Sequence, residues 1–249
     1  MIKILLITGM VISIGLNTYC QVAVTPSQGN GSAESPYQIA SLENLYWIAA
    51  QSNRWGYHYI QTADINASAT ITWFSGFGWS PVGYASARFT GYYDGQGFSI
   101  DSLYINSTYE YAGLFGYTEG AEIMNMKITD AEITGTEYAG VLAGKISTSE
   151  ILNCSSTGKI TGTNFTGGLI GYADNAEINN CSFNGEVNGA FNTGGLAGQI
   201  YYTSIETCGS DGTVNGGWDT GGLIGKSEGY NTSQDIINYI NNSNSNALV

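Results

Sequence analysis

Four sets of like residues recur in one register along the second half of the chain, and that register limits what the chain can fold into. Leucines stand at Leu114, Leu142, Leu169, Leu196 and Leu223, in steps of 28, 27, 27 and 27. Ile123, Ile151, Ile178 and Ile205 keep the same steps. So do Met126, Cys154, Cys181 and Cys208, and Ile133, Ile160, Val187 and Val214 recur in step with them. Each leucine sits between glycines, and Gly116, Gly144, Gly171, Gly198 and Gly225 close the five copies. A fixed period of this size marks a stack of similar units that bury their inner faces only against one another.

The unit is built of strands. Segments such as Ile160-Thr161-Gly162 are short runs between Gly or Asn corners, and no long stretch has helical periodicity. The expected fold is therefore all-β: a parallel β-helix, or β-solenoid, of ~27-residue coils stacked at the strand spacing of about 4.8 Å. Ile100, Leu103 and Ile105 match Ile123, Met126 and Ile128 in spacing, which adds an earlier coil with a shorter return, 23 in place of 27, and brings the count to about six. A leucine-rich repeat is the alternative solenoid. Its consensus is lost in later copies such as Ile178-Asn179-Asn180-Cys181, and the Gly/Thr-rich half of each unit offers no helix.

The ends read differently. Residues 1–20 have a basic start, an apolar run and a polar exit, which is the pattern of a secretory signal peptide cleaved near Cys20 or Gln21. A lipid anchor at Cys20 is the alternative, disfavoured by the bulky Tyr19 before it. No later run reaches the roughly 18 apolar residues of a membrane span. The mature chain is thus expected to lack a transmembrane segment and to be secreted or held at the outer cell surface. Residues 21–35 read as an extended lead-in. Residues 36–87 read as the N-terminal cap of the solenoid, with one short helix from the N-cap Ser41 and strands at 57–66 and 70–73. This cap holds Trp47, Trp55, Trp73 and Trp79, read as its core, with a sugar-stacking platform as the alternative. The solenoid covers 88–229. Residues 230–249 form a C-terminal cap and tail, with a short helix over 233–240.

Composition narrows the function classes. Seven basic residues face 20 acidic ones, a net charge of −13, which excludes nucleic acid as a partner. One histidine, His58, rules out a multi-histidine metal site and is read as structural. Cys154, Cys181 and Cys208 are read as free buried fillers of one ladder, with no zinc spacing.

The glycine-leucine copies resemble the GLUG motif of bacterial secreted and surface proteins. The upstream run is similar to that family's lead-in: Ser35-Pro36-Tyr37-Gln38-Ile39, Thr62-Ala63-Asp64-Ile65, Trp79-Ser80-Pro81-Val82-Gly83 and Phe89-Thr90-Gly91-Tyr92-Tyr93-Asp94-Gly95. The resemblance implies a right-handed parallel β-helix in exported, adhesin-like or polysaccharide-associated proteins. Peptidase and sorting modules of the family are not read in these residues, so their activities are not carried over.

The chemistry read from the residues is sparse. Glu150, Glu177 and Glu206 form an acidic row read as a solvated edge, with a calcium stripe as the alternative. Asp94-Gly95-Gln96-Gly97 reads as a turn. No catalytic, cofactor or metal residues are assigned, and the five leucines and their closing glycines are structural. The expected function is a non-catalytic secreted or surface adhesin-like module whose acidic, Thr/Asn/Tyr-rich faces bind glycans or surface proteins. A carbohydrate-active enzyme of the lyase or hydrolase kind and a structural spacer are the alternatives. Ligand residues and oligomeric state are not fixed by the pattern.

Overall fold

The computed structural model describes residues 21–229, 240–241, 244–245 and 248–249. The expected signal peptide and Cys20 lie outside the described residues, as does the expected helix except for Ile240.

The chain winds into a β-solenoid of parallel strands. Five coils, at 92–119, 122–147, 150–174, 177–201 and 204–228, each contribute a strand to all four sheets. The first sheet carries the isoleucine ladder, Ile123–Ile151–Ile178–Ile205, in register. The second holds the longest strands, Lys127–Thr134, Ser155–Thr161, Ser182–Asn188 and Gly209–Asn215. The third is a corner sheet of short strands running from Tyr111–Ala112 to Trp218–Gly221. The fourth follows each repeat leucine and runs from Phe115–Glu119 to Ile224–Glu228.

The corners explain the Gly/Asn punctuation. Asn125, Asn153 and Asn180, then Thr148 and Asn175, turn the chain with φ between 46° and 54°. Asn enters this left-handed region at low cost, so one residue suffices for a corner. The repeat glycines serve a different need, close approach. A Cβ on Gly171 would lie 2.5 Å from the Gly144 carbonyl oxygen and 2.7 Å from that of Phe165. Only glycine lets the corner strand pass so near.

The ladders form one continuous core. Leu114, Leu142, Leu169 and Leu196 are fully buried, and Leu223 only partly. Leu223 precedes the outermost strand of the fourth sheet, so among the described residues no further strand of that sheet stacks on its coil. Cys154, Cys181 and Cys208 are buried thiols. The Cys154 and Cys181 backbone N–H groups donate to the next sulfur along, at 3.4 and 3.3 Å.

Three details correct the sequence reading. Ile100 pairs with Ile128 and Ile105 with Ile133, so that coil closes over the same interval that separates Ile123 from Ile151, not over a shorter return. The residue opposite Ile123 is Tyr93. Six coils therefore become five complete ones, while the first two sheets run on to eight and seven strands along their main paths. Thr70 lies in a 3-10 turn within Ser68–Gly76, not a strand, because its hydroxyl and N–H both bond back to the Ala67 carbonyl, and Trp73 is extended at a kink in that segment. Ile240 lies in a strand and not in a helix, since Ile240–Asn241 pairs with Ile205 and Glu206, and Asn244–Ser245 pairs with Gly209 and Ser210.

The N-terminal segment grows from the same sheets. Tyr37–Ile39 and His58–Gln61 extend the first sheet, and Ile65–Asn66 the second. The helix Leu42–Ala49 starts where expected, with the Ser41 side chain accepting from the Asn44 N–H. Trp47, Trp55, Trp73 and Trp79 are all buried, which makes them core and leaves no exposed tryptophan platform in this segment. Trp79 donates its indole N–H to the Leu114 carbonyl at 3.0 Å and so ties this segment to the first coil. His58 stacks on Tyr92 at 5.3 Å.

Candidate functional site

The corner and fourth sheets bring aromatic side chains to one outer edge. Because strands stack in register, a ring on one coil meets the ring on the next. Tyr111, Tyr138 and Phe165 form such a stack, with centroids 5.1 and 4.8 Å apart and planes inclined by 10° and 7°. On the neighbouring strands Tyr117, Lys145 and Tyr172 stand opposite one another. The Lys145 ammonium lies 4.8, 5.7 and 5.3 Å from the ring centres of Tyr117, Tyr138 and Tyr172. A cation among three ring faces gains from their quadrupoles while its stem covers apolar surface. Burial pushes the Tyr172 phenol up to about 12 and raises Tyr111 and Tyr138 as well.

The stack ends at Tyr111, which borders a cleft of about 490 Å³. Pro81 and Tyr84 come from the N-terminal segment, Tyr109 and Tyr111 from the first coil, and Ser86 and Glu110 add polar groups. Tyr109 is 61% exposed and Tyr84 47%. Gly83 allows the loop to sit here, since a Cβ there would meet the Tyr117 carbonyl oxygen at 2.1 Å and its φ is +92°. This volume falls within the range of small-ligand clefts, which pair apolar walls with a few polar groups.

The residues singled out from the sequence lie elsewhere. The repeat leucines are core and frame the site from inside. Glu122, Glu150 and Glu177 stand in register on the first sheet, with Glu150 and Glu177 exposed, but Glu206 does not join them. Ser204 is the partner of Glu177, and Glu206 stands opposite Asn179. Among the described residues no group of three or more His, Cys, Asp or Glu side chains converges as a metal site. The side chain of Asp94 accepts from the Gln96 N–H at 2.8 Å and from the Asn125 amide at 2.9 Å, as a turn would have it. The aromatic row is absent from the sequence reading, although Tyr111, Tyr138 and Phe165 keep the coil period, as do Tyr117, Lys145 and Tyr172.

Comparison with known proteins agrees with this geometry. The family model described as the GLUG motif matches residues 135–161, 163–188 and 189–215. Residues 135–215 are GLUG repeats. The glycine-leucine segments at Gly113 and Gly221 lie outside the matched ranges yet fold into coils of the same kind. The chain is similar to halomucin of Haloquadratum walsbyi, 39% identical over 52% of this chain and 2% of that protein. It is also similar to a protein of Evansella cellulosilytica named as a Gly-rich membrane protein, 34% identical over 48% of this chain and 14% of that one. The chain thus spans a small fraction of the curated relatives it matches. A crystal structure of a protein from Bacteroides ovatus described as an immunoglobulin A1 protease superposes with a TM-score of 0.68. It covers 80% of this chain and 64% of that chain, at 22% identity, a likeness of fold. Among the described residues no helix is long and apolar enough to cross a membrane.

Proposed function

We propose that this chain is a non-catalytic, adhesin-like β-solenoid module, secreted or held at a cell surface, which binds glycans in the tyrosine cleft. One observation carries the reading: Tyr84, Tyr109 and Tyr111 surround a cleft at the end of an aromatic stack. Tyrosine offers an apolar ring face and a polar tip, and a sugar offers an apolar face and a hydroxyl rim. The rigid solenoid holds these rings at fixed spacing, so little ordering accompanies binding. The relative named as a membrane protein supports a place at a surface.

A glycan array followed by calorimetry tests this. The unsubstituted chain is expected to bind, Tyr109→Ala to bind at least about tenfold more weakly, and bound polysaccharide to be recovered at its original length. Release of new reducing or unsaturated ends would overturn the non-catalytic reading and favour an enzyme.

A further inference from the structure

A second aromatic pair stands at the far end of the same corner sheet. Phe191 and Trp218 are register partners on neighbouring strands, with ring centres 6.0 Å apart at 74°. Trp218 is 77% exposed, more than any other large apolar side chain among the described residues, whereas the four other tryptophans are buried. An indole so placed contributes little to the core. Around it lies a broad depression lined by Asn188, Asn215, Gly217 and Thr220. The Asn215 amide donates to the Asn188 side-chain oxygen at 2.9 Å, which holds the polar groups in place.

Both aromatic sites belong to one sheet. Tyr111–Ala112 is its first strand and Trp218–Gly221 its last, four strand steps apart. At the strand spacing that is roughly 19 Å. Between them Tyr138 and Phe165 continue the ring stack, beside exposed Thr136 and Thr163 and half-buried Asn164. Rings with hydroxyl and amide groups beside them make a track along the solenoid axis.

Charge selects the ligand class. The chain carries −13, and Glu110 lines the cleft. The cations near the track are already engaged. Arg88 pairs with Glu119 at 3.5 Å, Lys145 lies among its three rings, and Lys226 pairs with Glu228 at 2.7 Å. Against this net charge an anionic polymer would meet repulsion, and a neutral one would not.

We propose that Phe191 and Trp218 form a second subsite, and that the two sites grip one neutral polysaccharide chain laid along the corner sheet. This rests on the glycan reading of the tyrosine cleft. Two weak sites on one rigid frame convert the second contact into an intramolecular one, so long chains gain affinity that short ones lack.

Because Trp218 is the one exposed tryptophan among five, acrylamide quenching of protein fluorescence reads it directly. The full chain is titrated with long neutral glucans and mannans, with oligosaccharides too short to span both sites, and with polygalacturonate and chondroitin sulfate. Long neutral chains are expected to shield Trp218 and to bind at least about tenfold more tightly than short ones. Trp218→Ala and Tyr109→Ala should each remove that gain, and the anionic polymers should leave quenching unchanged. If Trp218→Ala binds long chains within about twofold of the unsubstituted protein while Tyr109→Ala weakens them, the second subsite is overturned and the cleft reading stands. If no neutral glycan binds, both fall. Shielding by an anionic polymer overturns the charge assignment. A dimer that Trp218→Ala dissociates would make this surface a contact between copies and overturn the subsite.

Discussion

The side-chain amide of Asn153 donates to the side-chain carbonyl of Asn125, on the preceding coil, at 3.1 Å. Asn180 donates to Asn153 in the same way at 2.7 Å, and Asn125 ends the row on the Asp94 carboxylate. All three asparagines are left-handed corners, with φ of 53° to 54°. One residue type therefore turns the chain and bonds each coil to its neighbour.

Asn153→Ala loses both contributions. A left-handed non-Gly residue costs about 1–2 kcal/mol, to which an exposed hydrogen bond adds a fraction. Urea denaturation should show a loss of about 1–2 kcal/mol. Asn153→Gly should lose less, because glycine keeps the corner without the amide. Equal losses would make the amide row, and not the backbone, the dominant contribution.

Leu169 and Leu223 share a repeat position and differ in burial. Leu169→Ala should cost about 2–5 kcal/mol, as for a core leucine between packed neighbours. Leu223→Ala should cost clearly less in the same urea series. Leu169→Asp should be worse than Leu169→Ala, because the core offers the carboxylate no partner.

The Glu122–Glu150–Glu177 row places like charges on successive strands of the first sheet. Glu177 is exposed, so Glu177→Ala should change stability by less than about 0.5 kcal/mol. The change should be the same in calcium and in chelator. A calcium-dependent rise in melting temperature that Glu177→Ala removes would assign this row a metal.

Tyr172 ties stability to alkaline pH. Its phenol titrates near 12 in the folded chain because burial disfavours the phenolate, against an ordinary value of 10. Its contribution is complete below pH 10 and is lost as pH rises through about 12, since the unfolded chain ionises first. Melting temperature should fall over that window, and Tyr172→Phe should flatten the fall.

The isoleucine ladder is legible from Ile123 to Ile205 because residue type and interval both hold. Its continuation through Tyr37, Tyr59 and Tyr93 is not, although these rings stand in the same register column. The steps from Tyr37 to Tyr59, to Tyr93 and on to Ile123 are all unequal, and rings replace branched chains. Glu206 shows the opposite error, a like residue at a similar spacing that falls two positions out of register. Tyr111, Tyr138 and Phe165 carry the period, so their stack is legible in principle. Tyr84 and Tyr109 lie outside the period, so only folding brings them to the cleft.

The register of the corner sheet makes the distance between Tyr111 and Trp218 a ruler with discrete marks. A gain or loss of one repeat unit between them would leave every ladder matched, as the pairing of Tyr138, Phe165 and their neighbours already does across coils. Each such event would move the two ring sites by one strand spacing, about 4.8 Å. Reach along a polymer would then change by gene duplication alone, in quantised steps, with no new contact to be evolved.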